Sequence, residues 1–386
     1  MKTGSSGANV AESDLPPRVT IGRTMAAPYD LRQALLTNMI RRPFVVALLA
    51  FVLTAITLIG PARTQSLSNE PGFRIVDFDW VDAARSRPVP ARLHWPNEIA
   101  ARDPASKARV PLIVFSHGMG GSRRGYSYLA RYWAERGVAS LHVQHVGSDR
   151  SVWTGNPFTL VQRLHSAAHE SEALARGLDV RFALDRVLSN DAGPYGARID
   201  RQRIIAAGHS YGANTALVAV GAGVMREGRR IEAKDPRFSA AILISSPPFY
   251  GEPHLASVLE GVTVPSLHVT ATEDIIRIPG YYSPAADRLA IYNAISTPRK
   301  AIAVFQGGSH SMFTDRAATG GRDLNPKVKA ATAELALAFL DLVYDGDRTS
   351  MTRWNARWQP IMALSPGAPS LLSPVARSRG LVQATN

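Results

Sequence analysis

The chain has 386 residues, 45% hydrophobic and 19% charged, the composition of a globular protein with material for one large core. It contains no cysteine, which excludes disulfides, thiolate nucleophiles and Cys-ligated metals. The net charge of +13 gathers at the ends: residues 1–63 hold seven Lys/Arg against three acids, and residues 348–386 hold five Arg and no acid. A nucleic-acid reader would carry a basic, aromatic-interleaved stripe on its body. Here attraction of the tails to an anionic membrane surface fits better.

Residues 1–38 are rich in Gly, Ser, Ala and Pro without periodicity, and read as disordered or untranslated, with Met39 or Met25 as the alternative start. Residues 39–63 follow the plan of an export signal: Arg41 and Arg42, an uncharged run from Pro43 to Ala62, and a small-residue exit. The same run, 43–62, is about long enough to span a bilayer as a signal-anchor. A cleaved signal is favoured, because the apolar part is short for a span. Either way the body is expected outside the cytoplasm, periplasmic or secreted, or anchored to the inner membrane by 43–62.

Residues 64–347 form the expected catalytic domain. Phe73 to Trp80 alternates apolar and polar residues, and Val89 to Trp95 reads as its antiparallel partner, with Pro90 marking an edge. Val110 to Phe115 and Val138 to Val143 are continuous apolar runs, as in strands buried on both faces. Helical patterns cover 126–136, 160–188 (one helix or two) and 211–224. Further strands follow at 240–244, 264–270 and 300–305, and a periodic helix closes the domain at 327–344. Strands alternating with helices predict an α/β fold: a mainly parallel central sheet, helices on both faces and an N-terminal antiparallel edge hairpin. Residues 348–386 form a basic, Pro/Ser-rich tail. Trp354 and Trp358, four apart at its start, suit a short helix on the body.

The functional residues sit where these strands end. Ile204 to Ala207 runs into Gly208-His209-Ser210-Tyr211-Gly212, and an Ala-rich helix follows at once. Strand, sharp turn and helix with serine at the apex is the plan of a nucleophile elbow. The pentapeptide alone is weak evidence, since such a serine can merely cap a helix. Its context is stronger: Asp274 follows the second strand after it and His310, in a Gly-Gly-Ser-His-Ser loop, the next. Parallel sheets place ligands at the carboxyl ends of strands, and the order Ser, Asp, His is that of α/β-hydrolases. In that scheme Ser210 is nucleophile, His310 base then acid, and Asp274 orients the imidazole. Glu273 is adjacent and Glu252 is the main rival for the acid. The His117-Gly118-Met119-Gly120-Gly121 loop suits an oxyanion site, with the Met119 and Tyr211 amides as donors. His117 is expected to orient that loop and His209 to pack. His145 and Asp149 can line a pocket or, for Asp149, cap a turn. No cluster has metal-ligand spacing and no phosphate loop is present, so neither metal nor cofactor is expected.

Three stretches carry a family resemblance: Phe115-Ser-His-Gly-Met-Gly-Gly-Ser-Arg-Arg-Gly-Tyr, Gln144-His-Val-Gly-Ser-Asp and Gly208-His-Ser-Tyr-Gly-Ala. Together they resemble the bacterial serine α/β-hydrolases often called predicted dienelactone hydrolases, relatives of platelet-activating-factor acetylhydrolases and cutinase-like polyesterases. The resemblance covers about residues 73–345 and neither tail. It implies a serine hydrolase of carboxylic esters, with short acyl esters as substrates. True dienelactone hydrolases use cysteine, which this chain lacks, so that substrate is not implied. Other uses of the same residues are acyl transfer, amide cleavage, or an inactive membrane-tethered binding protein. The sequence leaves oligomeric state open.

Overall fold

The computed structural model describes residues 65–70, 72–97, 109–226 and 228–366. The expected extension 1–38, the signal or anchor 39–63 with its apolar run 43–62, and the tail beyond 366 lie outside the described residues. Among those described, no helix is long and apolar enough to cross a membrane.

The elements, in chain order, are strands β1 (Gln65–Glu70), β2 (Phe73–Asp82), β3 (Arg87–Pro96) and β4 (Val110–Ser116), helix α1 (Ser127–Ala134), β5 (Ala139–Val143), α2 (Leu160–Ala168), α3 (Glu170–Leu188), β6 (Ile199–His209), α4 (Tyr211–Val220), β7 (Gly223–Arg226), β8 (Arg229–Glu232), β9 (Ala240–Ile244), α5 (Leu255–Leu259), β10 (Ser266–Ala271), β11 (Ile276–Ile278), β12 (Tyr281–Ser283), α6 (Ala286–Ala294), β13 (Lys300–Phe305), α7 (Leu324–Leu340), α8 (Thr349–Trp358) and β14 (Met362–Leu364). Ten strands form one sheet in the order β1-β2-β3-β5-β4-β6-β9-β10-β13-β14. The run from β5 to β13 is parallel. Antiparallel strands complete it at both ends.

Alternation along each parallel strand feeds two cores. Leu112, Val114, Ile204, Ala206 and Leu243 face one side, under α3, α4, α5 and α6. Ile113, Phe115, Ile205, Ala207 and Ile242 face the other, under α1, α7 and α8. Burial on both faces is why these strands read as unbroken apolar runs.

Two expectations need correction. Pro90 does not mark an edge, because β3 lies between β2 and β5. It is tolerated because pairing with β5 begins only at Ala91, and its carbonyl still accepts from the Gln144 N–H at 2.8 Å. The elbow helix stops at Val220 instead of reaching Val224. Gly221 takes φ 126° against the Gly261 backbone, where a Cβ would stand 2.2 Å from a carbonyl oxygen. The chain then turns into the β7–β8 ribbon. Beyond 347 the chain forms α8, the short helix on the body that the spacing of Trp354 and Trp358 suits. Trp354 and Trp358 are buried beneath α8, donate their indole N–H groups to Ala331 O and Glu334 Oε2, and bring β14 against β13.

Candidate active site

Ser210 tops the turn between β6 and α4 at φ 56°, ψ −127°, a region that side chains other than glycine avoid. Its neighbours explain how the turn closes. A Cβ on Gly208 would lie 2.1 Å from Gly212 O, and one on Gly212 would lie 1.9 Å from Ser116 O. Only glycine allows strand, helix and the end of β4 to approach this closely. The Ser210 N–H donates to Ile244 O at 2.9 Å, pinning the turn to the neighbouring strand.

The carboxyl ends of β10 and β13 bring the other groups to it. His310 Nε2 is 2.8 Å from Ser210 Oγ, and His310 Nδ1 is 2.8 Å from Asp274 Oδ1. The Asp274 carboxylate is fully buried. It accepts from Thr270 Oγ1 at 2.8 Å and faces Arg288 Nη2 at 3.5 Å. Ser245 Oγ lies 2.7 Å from His310 Nδ1. Burial alone would raise the Asp274 pKa. The hydrogen bond and charge of His310, with Arg288 and the Ser245 hydroxyl, outweigh it and hold the carboxyl below its ordinary range. Glu252 is engaged elsewhere, 2.6 Å from Arg226. Glu273 is exposed.

The loop from His117 to Gly121 lies on the opposite side of Ser210. Gly118 packs so tightly that a Cβ there would be 3.2 Å from Ser210 Cβ. Met119 and Tyr211 both line the cavity that reaches Ser210. Among the described residues neither of their N–H groups has a hydrogen-bond partner. The loop is fixed from behind. His117 Nδ1 donates to Gly118 O at 2.7 Å, and its Nε2 accepts from the His145 N–H at 3.1 Å. Gly120 N donates to Ser148 O and Arg150 N to Gly121 O, both at 2.8 Å. His145 and Ser148 are fully buried, and Asp149 caps the turn Arg150–Trp153 by accepting from Ser151 N at 3.0 Å. The Gln144–Asp149 segment therefore clamps the loop from behind and does not line the cavity.

Residues the sequence analysis passed over complete this support. Arg176 of α3 is fully buried. It donates to Thr215 Oγ1 and Ser148 Oγ at 2.8 Å and to His117 O, and its guanidinium lies 4.4 Å from the centre of the Tyr211 ring. Burial lowers its pKa while Tyr211, Glu172 and Asp179 oppose that shift. Glu172 and Asp179 in turn hold Arg87. The signal was on the helix itself. Positions 172, 176, 179, 180, 183, 184 and 187 share one buried face, charged in its first half and apolar in its second. His145 sits 3.0 Å from Asp179, yet burial, followed by Arg176, Arg87 and Arg85, keeps it neutral. His117 is held neutral by burial and then by Arg176.

His209 does more than pack. Gly118 N–H donates to the Tyr126 hydroxyl at 3.1 Å, and that hydroxyl lies 2.9 Å from His209 Nδ1. His209 Nε2 lies 3.1 Å from His310 O. Burial and then the neighbouring His310 bring the His209 pKa down to about 3. A neutral ring donating from Nε2 and accepting at Nδ1 satisfies all three contacts. It connects the Gly118 loop to the backbone of His310.

A mainly parallel sheet with a serine on a strained strand-to-helix turn, and acid and histidine after later strands, is the α/β-hydrolase fold. A sequence profile of the family described as platelet-activating factor acetylhydrolase, isoform II, matches residues 96–175. That stretch carries the 117–121 loop and the 144–149 clamp, and stops short of Arg176 and Ser210. No curated protein matches the sequence. Among solved structures, ferulic acid esterase from Streptomyces cinnamoneus is similar in fold, with TM-score 0.51 and 22% identity over 75% of this chain and 94% of its own. A cold-adapted esterase from an Arctic intertidal metagenomic library aligns at TM-score 0.44 and 16% identity, over 68% of this chain and 96% of its own. Among the described residues no group of three or more His, Asp or Glu is placed to hold a metal ion.

Proposed function

We propose that the protein is a serine hydrolase of carboxylic esters, working through an acyl-enzyme on Ser210. The observation that carries this reading is the line of two 2.8 Å contacts from Ser210 Oγ through His310 to Asp274. His310 Nε2 takes the hydroxyl proton as Oγ attacks the ester carbonyl, and Asp274 stabilises the imidazolium that forms. Negative charge grows on the carbonyl oxygen. The Met119 and Tyr211 N–H groups meet it, each worth about 3 kcal/mol of selective stabilisation. His310 then gives its proton to the departing alkoxide. Water, activated by the same imidazole, releases the acid and restores Ser210. The profile match to an acetylhydrolase family supports an ester as substrate. The basic, apolar start of the chain supports export, with 43–62 as signal or anchor.

The test is hydrolysis of p-nitrophenyl acetate by the full chain and by Ser210→Ala. Activity lost in a variant that melts like the parent supports the reading. A folded Ser210→Ala that keeps the parent's rate sinks the nucleophile. A parent that releases nitrophenol only when an acceptor alcohol is added is an acyltransferase.

A further inference from the structure

The cavity beside Ser210 encloses about 210 Å3 and has a direction. Ser210, Tyr211, Asn214, Thr215 and Val218 all line it. These positions recur at three and four residues, so they form one stripe from the N-cap along α4. From Ser210 to Val218 the helix rises about 12 Å. The cavity is therefore a channel leading away from the nucleophile, much longer than an acetyl group.

Its walls are apolar. Leu174 of α3, Val218 of α4, Val224 and Ile231 of the β7–β8 ribbon, Phe249 after β9 and Ile278 of β11 face the same space. Polar lining comes from Asn214 and Thr215 on the turn of α4 next to Ser210, from Tyr250 and Tyr281, and from Glu170, Arg226, Glu232 and Glu252. The charged groups are all paired, Glu232 with Arg230 at 3.0 Å. Arg226 Nη2 lies 2.7 Å from Glu170 Oε2 and 2.6 Å from Glu252 Oε1. With both carboxylates engaged, the guanidinium is not a free anion site. Instead it ties the start of α3, the end of β7 and the loop after β9 into a clasp across the far end.

The channel also has a side. Met119 and Tyr211 line it, together with Pro247 and Phe249 after β9 and Ile276 and Ile278 beyond Asp274, and no lining residue belongs to the turn that carries His310. In ester cleavage the histidine protonates the leaving alcohol, so that arm departs on the histidine side. The acyl arm is left facing the channel.

We infer that the α4 channel is an acyl site for unbranched medium-length chains, of the hexanoyl to octanoyl class, closed at its far end by the Arg226 clasp. This deepens the ester-hydrolase reading, and it departs from the short acyl chains that the family resemblance implies. An alkyl chain of that length covers the apolar stretch and ends before the charged groups. A shorter one leaves apolar wall against water and forgoes the burial of each missing methylene.

The experiment compares kcat/KM of the full chain on p-nitrophenyl acetate, butyrate, hexanoate, octanoate and decanoate, and separately on acetates of alcohols of the same lengths. The wild type is expected to prefer octanoate to acetate at least ten-fold, with no such trend along the alcohol series. Val218→Phe and, on a different element, Ile231→Trp are expected to cut the octanoate-to-acetate ratio about ten-fold, thermal melts establishing that each folds. Arg226→Ala is expected to raise decanoate relative to octanoate. A flat or falling acyl profile, a length preference on the alcohol arm, or an unchanged ratio in both folded filling variants overturns the acyl channel. An unchanged Arg226→Ala profile overturns the clasp as its end. Absence of hydrolysis on every ester is a different failure, and removes the ester-hydrolase reading itself.

Discussion

The two flanks of Ser210 are built from different materials. On one, His310 and Asp274 offer side-chain atoms, and a short shell of Thr270, Ser245 and Arg288 holds them. On the other, the 117–121 loop offers main chain. Its position depends on buried polar groups from Tyr126 close by in the chain and from three distant segments, the 144–149 clamp, Arg176 and His209. A side chain carries its chemistry wherever the backbone brings it. An amide has no identity of its own, so everything it contributes lies in where its neighbours aim it. The second flank therefore needs more buried polar structure than the first.

This contrast can be broken at either flank. The largest effects belong to the side-chain flank. His310→Ala is expected to lower kcat by about six orders of magnitude and Asp274→Asn by about four, measured in steady state on the best p-nitrophenyl ester. A folded His310→Ala within ten-fold of wild type would remove the base from the scheme. Next comes the buried cation of the other flank. Arg176→Met removes the donor shared by the His117 carbonyl, Ser148 Oγ and Thr215 Oγ1, and should cost about 3 kcal/mol of stability and about 100-fold in kcat. Lower melting with unaltered kcat would show that the loop does not depend on it. Tyr126→Phe probes the same flank more gently. It removes the hydroxyl between Gly118 and His209, so kcat should fall about five-fold with KM little changed, the loss of about 1 kcal/mol typical of one hydrogen bond.

Acid sharpens the contrast further, because His209 of the loop flank is a buried neutral histidine, like His94 and His268 elsewhere in the fold. His209, His94 and His268 all have pKa values brought down to about 3, by burial first in each case. In the unfolded chain a histidine takes up its proton near 6.5, long before these do. Below 6.5 the unfolded state thus holds more protons, and stability falls as pH falls. Asp274 adds to the loss further down. Its contribution is complete above its ordinary value of 3.8 and disappears as pH drops through the lowered folded value. Urea midpoints should decrease between pH 7.5 and 5, and His268→Gln, away from the site, should flatten that decrease. Equal midpoints at both pH values would contradict the neutral histidines. The smallest effect lies far from both flanks. Arg203 and Asp345 pair at 2.7 Å on the surface, and Asp345→Asn should change stability by less than about 1 kcal/mol, read from the same urea curves.

The side-chain flank was legible in the sequence because each of its residues follows a strand in a short loop. Order and position alone bring Ser210, Asp274 and His310 to one edge of a parallel sheet. The loop flank was legible as a run of glycines with His117 to orient it, but its other supports were not. Arg176 sits in the middle of α3, where a charged residue ordinarily reads as solvent-facing, and only the apolar second half of its own stripe marks that face as buried. His209 read as packing because a single ring beside a serine says nothing of where its two nitrogens point. The first part of the basic tail was legible because Trp354 and Trp358 share one helical face, but β14 beyond it was not, since its pairing depends on β13.

Local pattern therefore determined the elements, the strained serine turn and the identity of the groups at the strand ends, since these depend on residues near one another in the chain. Only the tertiary structure decided which acid meets His310, which carbonyl Arg176 holds, and that the stripe of α4 beside Ser210 faces an apolar channel instead of a packed core. Each of those depends on what a distant segment places opposite. The spacing of residues along a chain fixes which face they share, but not what that face meets.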